Sequence, residues 1–352
     1  MNSLLISVLA VGGIYIVYLL LKSDSFVKYD LPEGQLFPSS SDSRPSLKVI
    51  LSKIRASQQK NSALSLKQQM LAIRETMDHF FDDVPINSEI TPVDAGGVAA
   101  EWVVAPGADS RRRLLYIHGG AFYVGSPKSH RVITSKLSEI TNSAVLAIDY
   151  RLMPENSRMA CVEDCRISYD WLLGNGPQGE AVATTVLVAG DSAGGNLTLS
   201  LLAWLRDTGR RLPNAAVALS PVTDARMISP SIKRNLESDI ILKTLASGLR
   251  KIPRPLLVMA KWLFTGRRSS DPVVSPLHGD LSGLPPILVQ VSDSEMLLDD
   301  GRRYVNKAVA SGTDAVLQRW QHVPHVWQIF HPHLPQAAEA FDQIEAFCRR
   351  YS

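Results

Sequence analysis

The sequence has few cysteines and almost no excess of charge of either sign. Three cysteines in 352 residues are too few for a disulfide framework. Cys161 and Cys165 lie close together, but no second pair completes a zinc site, so no metal is expected. The net charge of +3 does not indicate the basic surface of a nucleic-acid-binding protein. A hydrophobic fraction of 45% with 20% charged residues instead indicates a globular chain with a sizeable core.

An uncharged, almost wholly apolar stretch runs from Leu4 to Leu21. Its length is at the lower end of the roughly 17–25 helical residues that cross a bilayer. A secretory signal peptide would carry basic residues before the apolar run, whereas here only Met-Asn-Ser comes before it and Lys22 follows directly. We therefore expect residues 1–21 to form a single-pass membrane anchor. Lys22 and Lys28 lie on the domain side, which favours the cytoplasmic face for the domain.

The rest of the chain divides into a linker, a helical region and a region in which strands alternate with helices. Residues 22–45 are rich in Pro, Ser and Gly and are interpreted as a linker. Residues 46–89 show helical periodicity and are interpreted as N-terminal cap helices. From residue 90 to residue 352, apolar strands alternate with helical segments. This pattern predicts an α/β fold, with a mostly parallel central sheet and helices on both faces.

One segment, at about 225–270, interrupts this alternation because it looks helical and is more basic than the rest. Together with residues 46–89, it is expected to form a cap over the carboxyl ends of the strands, where open α/β sheets bind ligands. Residues 250–268 combine basic side chains with an apolar core that contains Trp262. That composition suits a cap helix packed over the site, and it also suits a helix lying on a membrane surface.

Two glycine-rich turns carry most of the chemical information. Gly190–Gly195 reads G-D-S-A-G-G and stands between an apolar strand and a helical segment, the setting in which the serine of G-x-S-x-G acts as a nucleophile. His118–Phe122 reads H-G-G-A-F after an earlier strand, and its small residues leave backbone N–H groups free to face an oxyanion. The two turns predict Ser192 as a nucleophile, which would need a histidine as base and a carboxylate to orient that histidine.

Five motifs, taken in order, resemble those of the hormone-sensitive-lipase-like family of α/β-hydrolase esterases. They are HGGAF, DYRLMPE (149–155), GDSAGG, SPLHGDLSGLPP (275–286) and HVWQIF (325–330). The resemblance extends from about Leu114 to the C-terminus. It implies an α/β-hydrolase fold with a helical cap, and hydrolysis of carboxylic esters by a serine esterase without a cofactor. The expected partner is a small-molecule ester of short to medium acyl length.

The resemblance also points to the other two members of a catalytic triad. His325 in HVWQIF matches the family's catalytic histidine, and His322 is the alternative three residues earlier. The acid has two candidates. Glu295 aligns with the head of the family's D-P-L-x-D pattern, whereas Asp293 has the more usual side chain in a different register. Glu295 is favoured, so the predicted triad is Ser192, Glu295 and His325.

The predicted oxyanion hole comprises Gly119, Gly120, Ala121 and Ala193. Gly120, Ala121 and Ala193 are expected to donate their N–H groups, and Gly119 is expected to keep the turn open. Ala121 stands where the family's H-G-G-G turn has its third glycine, and alanine fits because the backbone N–H is the working group. Two other functions remain open. An arylacetamide-type amide deacetylase would share this chemistry, and a non-catalytic receptor on the same scaffold is disfavoured because His325 is present.

Overall fold

The computed structural model describes residues 26–38, 44–60, 65–243 and 265–351, with Gly13 and Trp262 as single positions. The predicted anchor, residues 1–21, therefore lies outside the described residues except for Gly13. Most of the basic segment 250–268 lies outside them as well. Among the residues described, no helix is both long enough and apolar enough to cross a membrane.

The described residues form one nine-stranded sheet with the order β1-β11-β10-β9-β8-β4-β5-β3-β2, beside a two-stranded hairpin, β6-β7. In the large sheet β3 runs antiparallel to β2 and β5, and every other neighbouring pair is parallel, so the prediction of a mostly parallel α/β-hydrolase sheet is confirmed. The strands are β1 Gln35–Phe37, β2 Glu89–Asp94, β3 Ala99–Val104, β4 Asp109–Ile117, β5 Ser143–Ile148, β6 Asn175–Gly176, β7 Gly179–Glu180, β8 Thr185–Asp191, β9 Ala215–Leu219, β10 Ile287–Ser292 and β11 Ala315–Trp320.

Helices cover both faces of this sheet. The α-helices of the described residues are α1 Arg44–Lys60, α2 Leu66–His79, α3 Arg131–Thr141, α4 Arg158–Gly174, α5 Ser192–Asp207, α6 Pro230–Arg234, α7 Leu298–Ala310 and α8 Pro335–Cys348. Alternate strand residues point to opposite faces. Thus Leu114 packs with α3 and α8, whereas Leu115 packs with α4 and α5 on the other side. The central strands are buried on both faces, which is why they are apolar throughout.

The interpretation of residues 22–45 as a linker is wrong for much of that segment. Gln35–Phe37 forms edge strand β1, which pairs in parallel with β11. Just before it, Asp30 forms an ion pair with Arg303 of α7, with 2.6 Å between Oδ1 and Nε. The composition of the segment did not predict this strand because its partner is far away in the sequence and a three-residue strand has no periodicity to detect.

Helices α1 and α2 lie where the N-terminal cap helices are predicted, and their role as a cap stays a prediction. Ser65 begins α2 with a capping box, in which its side chain accepts from the Gln68 backbone and the Gln68 side chain accepts from the Ser65 backbone. Residues 225–270 lie between β9 and β10 in the chain, and the prediction of a cap insertion there stays a prediction. In the described part of that segment, however, α6 (Pro230–Arg234) is the main regular element and turns make up most of the rest.

Candidate active site

The serine of the first glycine-rich turn lies at a sharp change of direction between β8 and α5. Ser192 has φ +51°, a left-handed conformation that costs a non-glycine residue about 1–2 kcal/mol. A Cβ on Gly194 would overlap the Ile117 carbonyl at the end of β4, so only glycine lets the turn pack this closely against the neighbouring strand. The elbow therefore presents the Ser192 hydroxyl at the carboxyl edge of the sheet.

His325 and Glu295 converge on this serine from two other strand ends. The Nε2 atom of His325, which follows β11, lies 2.9 Å from the Ser192 Oγ. The other ring nitrogen, Nδ1, lies 2.5 Å from the Glu295 Oε2, and Glu295 follows β10. The Glu295 Oε1 accepts a 2.8 Å hydrogen bond from the Ser292 backbone N–H, which fixes the carboxylate. All three side chains are buried, and the structure brings the three predicted residues into one hydrogen-bonded chain.

The two alternative candidates lie elsewhere. The Asp293 carboxylate accepts from the backbone N–H of His322 at 2.9 Å, and that contact closes the loop after β11. The His322 residue is exposed, unlike His325. In the described structure, Glu295 and not Asp293 contacts the imidazole.

Charge around the imidazole favours its protonated form. Burial lowers the pKa of His325, but the hydrogen bond to Glu295 and the charges of Glu295 and Asp239 outweigh burial and raise that pKa above its ordinary value. Burial raises the pKa of Glu295, while its contacts with His325 and Ser292 act in the opposite direction. This arrangement can take up a proton from Ser192 and hold it during a reaction.

The second glycine-rich turn faces the elbow from the end of β4. Its residues Gly120, Ala121 and Phe122 have φ values of +112°, +54° and +70°. Three successive left-handed residues turn the backbone sharply, and two of them are strained because they carry a Cβ. Within the described part of the chain, no hydrogen bond uses the backbone N–H of Gly120, Ala121 or Ala193. These three donors are therefore available to a ligand.

Gly119 differs from the other predicted oxyanion-hole residues. Its N–H donates to the Asp191 Oδ1 at 2.9 Å, so it is already occupied. The predicted role of Gly119, to keep the turn open, does not use this N–H group, and Gly120, Ala121 and Ala193 remain the candidate donors. The same Oδ1 accepts from the Tyr116 hydroxyl at 2.6 Å, and the other oxygen of Asp191 lies 3.5 Å from the His130 Nε2.

Asp191 is a structural member of the site that sequence reasoning did not identify. Burial acts to raise the pKa of Asp191, but His130 and Tyr116 together hold it below its ordinary value. For His130, burial acts to lower the pKa and the charge of Asp191 raises it above the usual range. Asp191 therefore joins the elbow to the oxyanion turn through the Gly119 N–H, and its ion pair with His130 keeps the carboxylate charged. The aspartate inside G-D-S-A-G was the available signal, although its partners are remote in sequence.

No cluster of three or more His, Cys, Asp or Glu side chains that could hold a metal ion occurs among the described residues. His331 and His333, which flank Pro332, lie before the final helix α8. Burial lowers the pKa of His331, in keeping with a neutral side chain that contacts the Phe341 ring at 5.5 Å between centroids.

Comparison with known proteins agrees with this geometry. A family model described as the alpha/beta hydrolase fold matches residues 114–329, which contain both glycine-rich turns and all three converging side chains. The chain belongs to this family. Its resemblance to hormone-sensitive-lipase-like esterases is confirmed by the solved structure of an esterase from the bacterial hormone-sensitive lipase family. That structure is 35% identical, has a TM-score of 0.75, and the match covers 89% of this chain and 99% of the other.

Two proteins with similar sequences are named as an acetyl-hydrolase and an esterase. An acetyl-hydrolase of Streptomyces hygroscopicus is 40% identical over 258 residues, covering 73% of this chain and 81% of the relative. An esterase of Acinetobacter venetianus is 31% identical over 280 residues, covering 78% of this chain and 88% of the relative. This α/β hydrolase is therefore a carboxylesterase- or lipase-like enzyme.

Proposed function

We propose that this α/β hydrolase cleaves carboxylic esters through an acyl-enzyme formed on Ser192. One observation carries the proposal, the buried chain from the Ser192 Oγ through the His325 ring to the Glu295 carboxylate, with contacts of 2.9 and 2.5 Å. A serine hydroxyl is a poor nucleophile by itself, and a histidine at this distance removes its proton as it attacks.

The reaction has two steps with the same machinery. The Ser192 Oγ attacks the ester carbonyl carbon while His325 takes the hydroxyl proton, and Glu295 stabilises the resulting imidazolium. His325 then gives that proton to the departing alcohol. In the second step water attacks the acyl-enzyme, with His325 again as base, and the carboxylic acid leaves as the Ser192 hydroxyl is restored.

The negative oxygen of each tetrahedral intermediate is stabilised by backbone N–H groups. We assign this role to Gly120, Ala121 and Ala193, whose N–H groups are available, and not to Gly119, whose N–H is bonded to Asp191. Loss of one such donor typically costs about 3–4 kcal/mol of transition-state stabilisation. The backbone conformation of this turn therefore matters nearly as much as the three side chains.

The substrate class that we propose is a small-molecule ester with a short to medium acyl chain. The 40% identical relative that is named an acetyl-hydrolase supports the short-chain end of this range. Amide hydrolysis is the competing function, because it uses the same nucleophile and the same oxyanion donors.

The test compares p-nitrophenyl esters of graded acyl length with wild-type protein and the Ser192→Ala variant. We expect turnover of the short esters by the wild type, at least ten thousand-fold less turnover by Ser192→Ala on the pattern of triad enzymes (about 10⁴ or more), and slower cleavage of matched acetanilides. Ser311→Ala, at the end of α7 and outside the site, is the control and should retain full activity. Equal turnover by folded Ser192→Ala protein would rule out the mechanism.

We further propose that Leu4–Leu21 anchors the enzyme in a membrane, with the domain on the cytoplasmic face. The support is the apolar sequence and the position of Lys22 and Lys28 after it. Flotation with lipid vesicles tests the anchor. Replacing both Ile14 and Ile16 by Arg should release the protein, since each central Arg costs about 2.5–3.5 kcal/mol of insertion.

The control for this experiment is Val27→Arg combined with Leu31→Arg, which adds the same two charges at exposed positions beyond the apolar stretch. It should float like the wild type. Wild-type protein that stays at the bottom of the gradient would contradict the anchor. Protease protection in sealed vesicles then reports the side on which the domain lies.

A further inference from the structure

The strained oxyanion turn is bonded to an arginine of the cap. Arg74 lies on α2, and its Nε donates to the Tyr123 carbonyl oxygen at 2.8 Å. Its Nη2 donates to the Met153 carbonyl oxygen at 3.1 Å. These partners are 49 and 79 positions away in the sequence. One cap side chain thus connects the oxyanion turn to the loop that follows β5.

The two carbonyl groups belong to segments that are already bonded to each other. The Met153 N–H donates to the Phe122 carbonyl oxygen at 2.9 Å. Phe122 and Ala121 are the two non-glycine residues of the turn with positive φ, so the turn would relax toward ordinary backbone angles without such contacts. Arg74 donates to the carbonyl oxygen of Tyr123, the next residue. This hydrogen bond fixes the orientation of the peptide group at the end of the strained segment.

Arg74 is itself oriented by Glu155. The carboxylate accepts from Nη1 at 3.1 Å and from Nη2 at 2.9 Å, a two-pronged contact that sets the plane of the guanidinium. The Glu155 side chain is about half exposed, at 47%. An ion pair with such an exposed partner adds little stability. The contact with Glu155 therefore acts mainly by orienting the Arg74 guanidinium, and the attraction between the two charges contributes little.

A second residue of α2 contacts the far side of the same turn. Asp78, one helical turn after Arg74, accepts a hydrogen bond from the Ser126 hydroxyl. Residues four apart lie on the same face of a helix, so one face of α2 reaches both ends of the segment between Tyr123 and Ser126. A displacement of α2 would therefore pull on the oxyanion turn.

We propose that Arg74 is a positioning residue that couples the docking of cap helix α2 to the formation of the oxyanion hole. The inference rests on the proposed function, because Gly120 and Ala121 are its oxyanion donors. Without Arg74 the turn relaxes and its N–H groups move off the oxyanion, while the groups that bind the uncharged ester stay in place. The variant therefore loses stabilisation of the transition state, while its affinity for the substrate is unchanged.

The experiment uses the full chain and two measurements, ester kinetics and inhibition by an alkyl trifluoromethyl ketone. The ketone forms a hemiketal with the Ser192 hydroxyl, and its oxygen occupies the oxyanion hole. In Arg74→Met we expect kcat to fall by about 10- to 100-fold, the effect of a displacement near 1 Å. KM should change by less than about threefold, since uniform binding is retained. Affinity for the ketone should fall by the same factor as kcat.

Glu75→Gln, at an exposed position of the same helix, is the matched control. It removes a charge from α2 but no contact of Arg74, so kcat should change by less than about threefold. Arg74→Lys keeps a donor for one carbonyl only and should fall between the wild type and Arg74→Met. Thermal unfolding of each variant separates a loss of folded protein from a loss of turnover.

Wild-type kcat and ketone affinity in folded Arg74→Met would overturn the proposal, and so would a lowered Tm with both kinetic values unchanged. Should Arg74→Met not fold, the same two measurements on Arg74→Lys decide in the same way. A wild-type enzyme that hydrolyses no ester would instead count against the proposed function, so the two failures are distinguishable.

Discussion

The two glycine-rich turns of the site are built in different ways. The elbow at Ser192 is held by its own backbone and by the strand beside it, because Gly194 packs directly on the Ile117 carbonyl. The oxyanion turn is closed by hydrogen bonds from the Tyr123 and Val124 N–H groups to the Gly120 carbonyl oxygen, and it is also held from elsewhere by the Arg74 guanidinium and the Met153 N–H. Both turns depend on remote contacts, but the first has a strand–turn–helix sequence pattern of its own, whereas the second is also held by a side chain of helix α2. Variants should therefore damage the two turns in distinguishable ways.

The largest effect is expected on the elbow side, from loss of the carboxylate behind His325. Glu295→Gln keeps the shape of the side chain but removes the charge that stabilises the imidazolium. By analogy with amide replacement of a triad acid, kcat should fall by about 10⁴-fold. Steady-state ester kinetics measure it. The matched control, Asp293→Asn, should cost little, and the reverse ranking of the two variants would make Asp293 the acid.

A smaller loss is expected when the oxyanion turn is displaced directly. A Cβ on Gly120 would overlap the Val124 carbonyl, and φ is +112° there, so Gly120→Ala must shift the turn. We expect kcat to fall by about 100- to 1,000-fold, the range for loss of one oxyanion donor. Gly97→Ala is the control, since Gly97 has φ +94° but open space around it. It should lose stability without losing kcat, and an equal kcat loss in both variants would argue against displacement of the oxyanion turn.

Asp191 links the two turns, and its loss should change mainly the free energy of unfolding. Asp191→Asn breaks the buried pair with His130 and weakens the acceptor for Gly119 and Tyr116. Removing one partner of such a pair should lower the free energy of unfolding by about 3 kcal/mol. Chemical denaturation of the wild type and the variant at several pH values measures the difference.

The pH dependence of that difference has a definite sign. The folded-state pKa of His130 is raised, so its contribution is complete below the unfolded value of about 6.5 and is lost as pH rises through the folded pKa. The folded-state pKa of Asp191 is lowered, so its contribution is present above about 4 and is lost in acid. The wild type and Asp191→Asn should therefore differ most between about pH 4 and 6.5. A difference that grows steadily above pH 8 would contradict the ion pair.

The smallest effect is expected from a carboxylate that contacts none of the three triad side chains, although Asp239 accepts a 2.8 Å hydrogen bond from the Met296 N–H beside Glu295. The charge of Asp239 contributes to the raised pKa of His325. Since His325 must be neutral to act as a base, kcat/KM should rise with pH through a midpoint above 6.5. Asp239→Asn should lower that midpoint, because it removes one of the charges that raise the pKa of His325. Glu180→Gln, an exposed carboxylate in the β6-β7 hairpin, should leave it unchanged.

The same contrast explains what could be predicted from the sequence. The nucleophile turn is a local strand–turn–helix pattern, and motifs that match the family indicate His325 and Glu295, so all three residues are predictable from sequence patterns alone. The contact between Gly119 and Asp191 is not predictable in this way, because it joins positions 72 apart in the sequence. No sequence pattern identifies Arg74, because the periodicity of helix α2 indicates only which residues form the apolar face of the helix.

The N-terminal segment departs from its prediction for a related physical reason. Composition identifies Pro and Ser as poor strand and helix formers, and residues 22–45 are rich in both. Edge strand β1 is nevertheless stabilised by pairing with β11, a contact between residues almost 300 positions apart. Local propensity cannot report such pairing.

The covalent intermediate on Ser192 is the most direct test of the whole account. Wild-type enzyme mixed with p-nitrophenyl acetate and quenched in acid within milliseconds would be digested and analysed by mass spectrometry. We predict one acetyl group on the peptide that contains Gly190–Gly195, located on the Ser192 Oγ, and none in the Ser192→Ala variant. Turnover with the acetyl group on another residue, or with no acylated peptide at any time, would contradict it.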